Sequence, residues 1–170
     1  MPFPLHRALI HLQYKLKPFV TIPFELTVAE GQSLVQPELL PSAINLGPVH
    51  LSGPDEISFL PMPYQIAQKL HACTEYFGDE RSNQRARDLL DLILIEDHIL
   101  AASQLATIRS ACIEIFRIRD KQNWPVKIEV FPDWPLIWQR LQSEENITMT
   151  LEEAVDRVNM FVSRINSATD

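Results

Sequence analysis

Two cysteines and four glycines are all that the 170 residues contain of those types. Cys73 and Cys112 each fall on the apolar face of an expected helix, so no disulfide framework is built, and buried, unpaired thiols suit a reducing cytoplasm. No apolar run approaches the ~20 residues that a membrane helix needs. Met1 to Leu5 carry two prolines and lack the basic-then-apolar build of a signal peptide. The expected location is therefore cytoplasmic, with no membrane partner. A cationic excess is missing as well: 15 Lys and Arg against 22 Asp and Glu leave a net charge of −7. That balance argues against a generic nucleic-acid coat but leaves room for a local basic patch. His6, His11, His50, His71 and His98 have no metal-ligand spacing. No Ser or Cys stands in a recognised nucleophile turn, and there is no repeat or low-complexity tract. What is present is ordinary for a globular protein: 46% hydrophobic and 22% charged residues, in a chain long enough to bury roughly 70% of its unfolded surface.

Residues 8 to 28 alternate with period two, the strand signal. Ala8, Ile10, Leu12, Tyr14 and Leu16 share one face, and Val20, Ile22, Phe24, Leu26 and Val28 another such row. A hairpin turning near Lys15 to Pro18 accounts for both rows, with Pro23 at an edge position. A helix over 6–17 is the competing reading, against which the strict alternation stands. Residues 31 to 56 are rich in Pro and Gly and are expected to hold at most short elements; Ile57 to Leu60 reads as a short strand. From Pro63 the period changes to that of helices, expected near 63–77, 84–98, 104–119, 135–145 and 151–165. Ser103 is a candidate N-cap, and Thr150-x-x-Glu153 is a capping box. Trp124-Pro125 to Trp134-Pro135 reads as a stiff, extended connector draped over the helices. The expected fold class is α+β: an N-terminal β-hairpin or partial sheet over 1–62, then a bundle of about five helices over 63–170.

Chemistry concentrates on the first two helices. In the second, Leu89, Leu90, Leu92, Ile93, Leu94 and Ile95 cover nearly the whole circumference, leaving a narrow sector for Arg87, Asp88 and Asp91. A helix apolar all round is a buried helix, and its carboxylates must be paired, hydrogen-bonded or open to a cleft. An Arg87–Asp91 i,i+4 pair on an exposed strip is the plainest account. On the first helix, Ile66, Leu70, Cys73 and Phe77 form the core stripe, and Lys69 stands at its border. Lys69 either snorkels to solvent or presents its ammonium to an anion in a cleft. With Arg85 and Arg87 opening the next helix, three cations converge near the acids, a mixture suited to a nucleoside triphosphate. The cationic series Arg109, Arg117, Arg119 and Lys121 is interspersed with Glu114 and Asp120 and reads more simply as a solvated face than as an RNA contact.

Gln65-Ile66-Ala67-Gln68-Lys69-Leu70-His71-Ala72-Cys73-Thr74-Glu75, followed by Asn83-x-Arg85-Ala86-Arg87-Asp88-Leu89-Leu90-Asp91-Leu92, resembles the third and fourth motifs of the AbiEii nucleotidyltransferase toxin family. The likeness runs over roughly residues 8 to 165, through Arg109-Ser110-Ala111-Cys112, Trp124-Pro125, Trp134 and Glu153-Ala154-Val155. The family is similar in fold to minimal nucleotidyltransferases and transfers a nucleotide, in some members onto the acceptor end of tRNA. The resemblance implies that Lys69 contacts the triphosphate and that Asp91 is the key acid, supported by Asp88 and Arg87. Arg85 and His71 join Arg87 as substrate-binding candidates, and Glu25, on the polar face of the second strand, is the candidate metal ligand. It also implies an RNA or protein acceptor and a winged-helix antitoxin partner.

The departure from the family pattern is substantial. Its first two motifs, a Gly-Gly or Gly-Ser turn and a strand bearing Asp-x-Asp, occur nowhere in these residues. Two-metal nucleotidyl transfer needs clustered carboxylates to hold Mg²⁺ near the phosphates, and Glu25 alone cannot do that. The chain is expected to be a fragment, a split gene product or a degenerate relative, active only if the metal-binding segment is supplied. The alternative is a catalytically silent domain that binds a nucleotide, RNA or an antitoxin.

Overall fold

The computed structural model describes residues 5–27, 37–42, 47–50, 52–78, 82–98 and 104–169. The chain forms two compact units, Met1–Glu30 and Gly31–Asp170.

The first unit is a hairpin of β1 (Leu5–Tyr14) and β2 (Lys17–Thr27), paired antiparallel with a bulge between Leu12 and Gln13. Ala8 faces Phe24, Ile10 faces Ile22 and Leu12 faces Val20, so the two expected apolar rows share one side of the ribbon. On the other side His11 Nδ1 meets Thr21 Oγ1 at 3.0 Å, and Arg7 pairs with Glu25 at 2.7 Å. The two-residue turn puts Lys15 at φ 48° and Leu16 at φ 61°. Those signs match the type I′ turn, whose twist suits the flanking strands, although neither residue type favours positive φ. Val28, the last residue of the expected row, lies outside the described residues.

In the second unit a two-stranded ribbon pairs β3 (Glu38–Pro41) with β4 (Glu56–Phe59), antiparallel from Glu38↔Phe59 to Pro41↔Glu56. β4 matches the short strand expected near Ile57. β3 escaped the sequence reading because four residues bounded by Pro37 and ending in Pro41 carry almost no alternation. A 3₁₀ turn occupies Gly47–Val49.

Five helices follow among the described residues: α1 (Met62–Thr74), α2 (Ala86–His98), α3 (Leu105–Arg119), α4 (Trp134–Glu145) and α5 (Leu151–Ser167). The fold class is thus α+β, with small antiparallel sheets ahead of a helical bundle. Prolines inside the first turns of α1 and α4 preset φ where a backbone N–H would be unpaired anyway. Thr150 and Glu153 complete the expected capping box on α5: Glu153 N donates to Thr150 Oγ1 at 3.2 Å and Thr150 N to Glu153 Oε2 at 2.8 Å. Ser103 lies outside the described residues, and the described cap of α3 is Gln104 without a side-chain bond. α3 and α4 end on Asp120 and Asn146 in the left-handed region, which short polar side chains tolerate.

One apolar cluster joins all five helices, including Ile66, Leu70, Leu89, Leu92, Ile108, Ile115, Phe116, Trp138, Phe161 and Ile165. Both buried indoles find acceptors: Trp134 Nε1 donates to Asn83 O at 3.0 Å and Trp138 Nε1 to Met149 O at 3.1 Å. The aromatic–proline connector between α3 and α4 contains a cis Trp124–Pro125 bond. It is held to α5 by Asn159, which exchanges two hydrogen bonds with the Ile128 backbone at 2.9 and 3.0 Å. α2 and α5 are further tied by Arg157 and Arg164 on Glu96, at 3.0 and 2.6 Å, and by Arg157 on Asp97. No described helix is long and apolar enough to cross a membrane.

Candidate functional site

The site begins with the packing of α1 on α2. Ile66, Leu70 and Cys73 on α1, and Ala86, Leu89 and Leu92 on α2, have no exposed surface. The connection between the helices is set by Asn83, buried to 1%. Its Nδ2 donates to the carbonyls of Ala72 and Glu75 at 2.8 and 2.9 Å, and its Oδ1 accepts from Arg85 N at 2.8 Å. One side chain thus satisfies carbonyls left over at the end of α1 and a backbone donor at the start of α2. Gln122 completes the helix end, donating to His71 O at 2.9 Å. These bonds end α1 at Thr74 rather than near the expected residue 77.

With the junction held, Lys69 reaches across to α2. Its Nζ donates to Asp88 Oδ1 at 2.8 Å and to Asp91 Oδ2 at 2.6 Å. The two acids are three residues apart and so project from one helix face. The side chains are partly enclosed, with exposures of 24% for Lys69, 16% for Asp88 and 35% for Asp91. Burial pulls the Lys69 pKa down, but hydrogen bonds and charge from Asp88 and Asp91 outweigh it and leave the pKa raised. Lys69 is therefore a fixed cation at neutral pH, suited to holding negative charge and unsuited to acting as a base. Arg85 Nη1 stands 3.8 Å from Asp88 Oδ2, so two cations face two acids.

Arg87 belongs elsewhere. Instead of the expected i,i+4 pair with Asp91, it reaches α4 and bonds Glu145 Oε1 at 3.1 Å. Asp91 is claimed by the lysine, and a guanidinium at the rim of α2 finds Glu145 across the helix contact.

Beside the lysine opens a cleft of about 510 Å³, whose walls include Phe59, Gln68, Lys69, Arg85, Asp88 and Arg119. Its size falls in the range of small-molecule sites. Asp91 meets the same ammonium without being part of the cleft wall.

His71 does not join this group. It lies two residues after Lys69, about 200° around the helix, and is 1% exposed. Its ring meets Phe116 edge-on at 5.1 Å, and its Nδ1 accepts from Arg119 Nη1 at 3.2 Å. Burial first, and the Arg119 charge second, lower its pKa to about 4, so it is a neutral core residue. Glu25 sits in the hairpin unit, exposed and paired with Arg7. Of the cationic series on α3 and beyond, Arg119 turns to His71, while Lys121 pairs with Glu75 and keeps half of its side chain exposed, and Arg117 is exposed.

A divalent cation needs more than the helical unit offers. Asp88 and Asp91 are both engaged by Lys69, and no cluster of three or more His, Cys, Asp or Glu is set to hold a metal among the described residues. These side chains do not by themselves fit Mg²⁺.

Of the residues that shape the site, Phe59 carries no sequence signal of its own, while Asn83 enters the sequence reading only within the motif and Arg119 only within the cationic series. An Asn immediately before the helix start expected at 84 is a recognisable capping signal, and Asn83 could have been found that way. Arg119 and Phe59 come from α3 and β4, and no local pattern points them at Lys69.

Taken together, fold and site define an α+β protein whose helical unit carries a cleft walled by a clamped ammonium and two arginines. Residues 8–160 match the family model described as nucleotidyl transferase AbiEii toxin, type IV TA system. The chain belongs to that family. No curated protein matches it.

Proposed function

We propose that the cleft beside Lys69 binds a nucleoside triphosphate and that the chain serves nucleotide transfer to RNA or protein within a toxin–antitoxin system. The observation that carries this reading is the Lys69 ammonium, shared between Asp88 and Asp91 at the wall of a cleft that also holds Arg85. Lys69 and Arg85 are the phosphate-facing cations. Lys69 spends two of its three ammonium donors on Asp88 and Asp91, which leaves one for a phosphate oxygen, and Arg85, 3.8 Å from Asp88, adds a second cation beside it. Asp91 remains as the acid that orients the ammonium. Transfer itself requires carboxylates beyond Asp88 and Asp91 to hold Mg²⁺, because both acids are occupied and the chain contains no Asp-x-Asp. A winged-helix antitoxin is the partner expected to restrain such an activity.

Radiolabelled nucleotide supplied to the complete gene product with a tRNA pool or total protein should label the acceptor. Lys69→Ala and Asp91→Ala should abolish labelling; unchanged labelling in both removes the proposal.

A second reading is favoured by the same ion pairs. If the ammonium serves as the permanent counter-ion of the two acids, the domain binds nucleotide, RNA or antitoxin without catalysis. Calorimetry would then give nucleotide affinity insensitive to Mg²⁺, whereas strong Mg²⁺ dependence favours the enzyme.

A further inference from the structure

The cleft is not uniform along its length. Gln65, Gln68, Lys69 and Ala72 line it from α1, at the spacing that keeps one helix face turned to a single neighbour. They extend over roughly 10 Å at the helical rise. Near the start of α1, Gln65 Nε2 donates to Leu60 O at 2.6 Å, which fixes the end of β4, and with it Phe59, beside the first turn. Toward the other end stand Lys69, Asp88 and Arg85, and Arg119 is held to the second half of α1 through His71. In the order of α1, the aromatic and first amide contributions thus come before the residues that carry the formal charges.

Among the described residues of this unit two large aromatics are exposed, Tyr76 and Phe59, and Phe59 is the one on the cleft wall. It is 40% exposed and lies outside the buried cluster that takes up Phe116, Phe161, Trp134 and Trp138. A large apolar ring left partly in water beside a charged cleft gains contact area when a flat ligand covers it.

We infer that Phe59 is the stacking platform for the nucleobase, with the phosphate chain directed along α1 toward Lys69 and Arg85. This rests on the reading of the cleft as a nucleoside triphosphate site and adds the orientation of the ligand. Stacking is tolerant of base identity because every base presents a π-face. Phe59 therefore selects nucleotides over bare polyphosphate and does not choose among bases.

The test is calorimetry of the full chain with each of the four common nucleoside triphosphates and, separately, with inorganic tripolyphosphate. Phe59→Ala should weaken every nucleoside triphosphate by about tenfold while leaving tripolyphosphate unchanged, the size of one lost base–aromatic stack. Phe59→Tyr should keep wild-type affinity for all of them, since the ring face is retained. Arg85→Ala should weaken both ligand types. Equal losses for both ligand types in Phe59→Ala, or none for either, would overturn the stacking role while leaving the nucleotide site standing. If wild type binds neither ligand, the nucleotide reading fails first and the stacking role with it.

Discussion

The hairpin and the helical unit handle apolar side chains in opposite ways. Ile10, Leu12, Val20, Ile22 and Phe24 line one side of the β1–β2 ribbon, and the least exposed of them still shows 42% of its surface. In the helical unit Ile66, Leu70, Leu89, Leu92, Ile108 and Ile115 show none. The apolar residues are of the same kinds; what differs is the number of layers. A two-stranded ribbon has two faces and nothing within itself to close either, whereas five helices enclose a common interior. The functional consequence is that only the helical unit can hold charged groups at fixed positions. Arg7 and Glu25 pair on an open ribbon surface, where an ion pair is worth ~0–1 kcal/mol. The Lys69–Asp88–Asp91 clamp is backed by a packed core.

The largest test of this contrast is a pair of truncations. Phe161→Ala, in the buried cluster, should cost about 3–5 kcal/mol in denaturant unfolding. Phe24→Ala should cost less than about 1 kcal/mol, because its ring is already partly in water. Similar losses would mean that the two units do not differ in the way described.

Acid provides the next test. His71 is neutral in the fold down to about pH 4, against an ordinary value of 6.5. Between those values the unfolded chain binds a proton that the folded chain refuses, so stability falls as pH drops through that window. It is fully retained above it. The loss across the window is about 3 kcal/mol, at ~1.4 kcal/mol per pH unit. Urea titrations from pH 7 to pH 4 should show this slope, and His71→Leu should flatten it. A wild-type slope of opposite sign would contradict the buried, neutral assignment.

The smallest effect lies at the hairpin turn. Leu16 is 92% exposed and sits at φ 61°, a conformation that costs a side-chain-bearing residue about 1–2 kcal/mol. Leu16→Gly should raise amide protection along β1 and β2 by about 1 kcal/mol in hydrogen exchange, with little change in α1 to α5. Equal gains in both units would mean that the turn is not an isolated feature of the hairpin.

Much of the architecture was legible because the signals are local. Alternation over Ala8 to Leu26 specified the hairpin, and the 3.6-residue period with caps such as Thr150 located all five helices to within a few residues. The border position of Lys69 and the narrow polar sector of α2 marked the residues that meet in space. Less legible was who pairs with whom. Arg87 was read as the partner of Asp91, four residues on, but it bonds Glu145, 58 positions away. His71 was grouped with the ligand-facing side chains because it neighbours Lys69 in the chain; its angular position on α1 turns it to Phe116 and Arg119 instead.

The chain's own order of residues determined the β1–β2 hairpin, β4, the helices and the family to which it belongs, because propensity, periodicity and motif spacing act over a few turns of backbone. Tertiary structure alone decided that Lys69 satisfies both acids, that Asn83 locks α1 to α2 and that Phe59 joins the wall of the same cleft. Those outcomes depend on how α1, α2 and their neighbours in the second unit meet across long separations in the chain. At that range the competition among several nearby partners of suitable charge is decided by geometry.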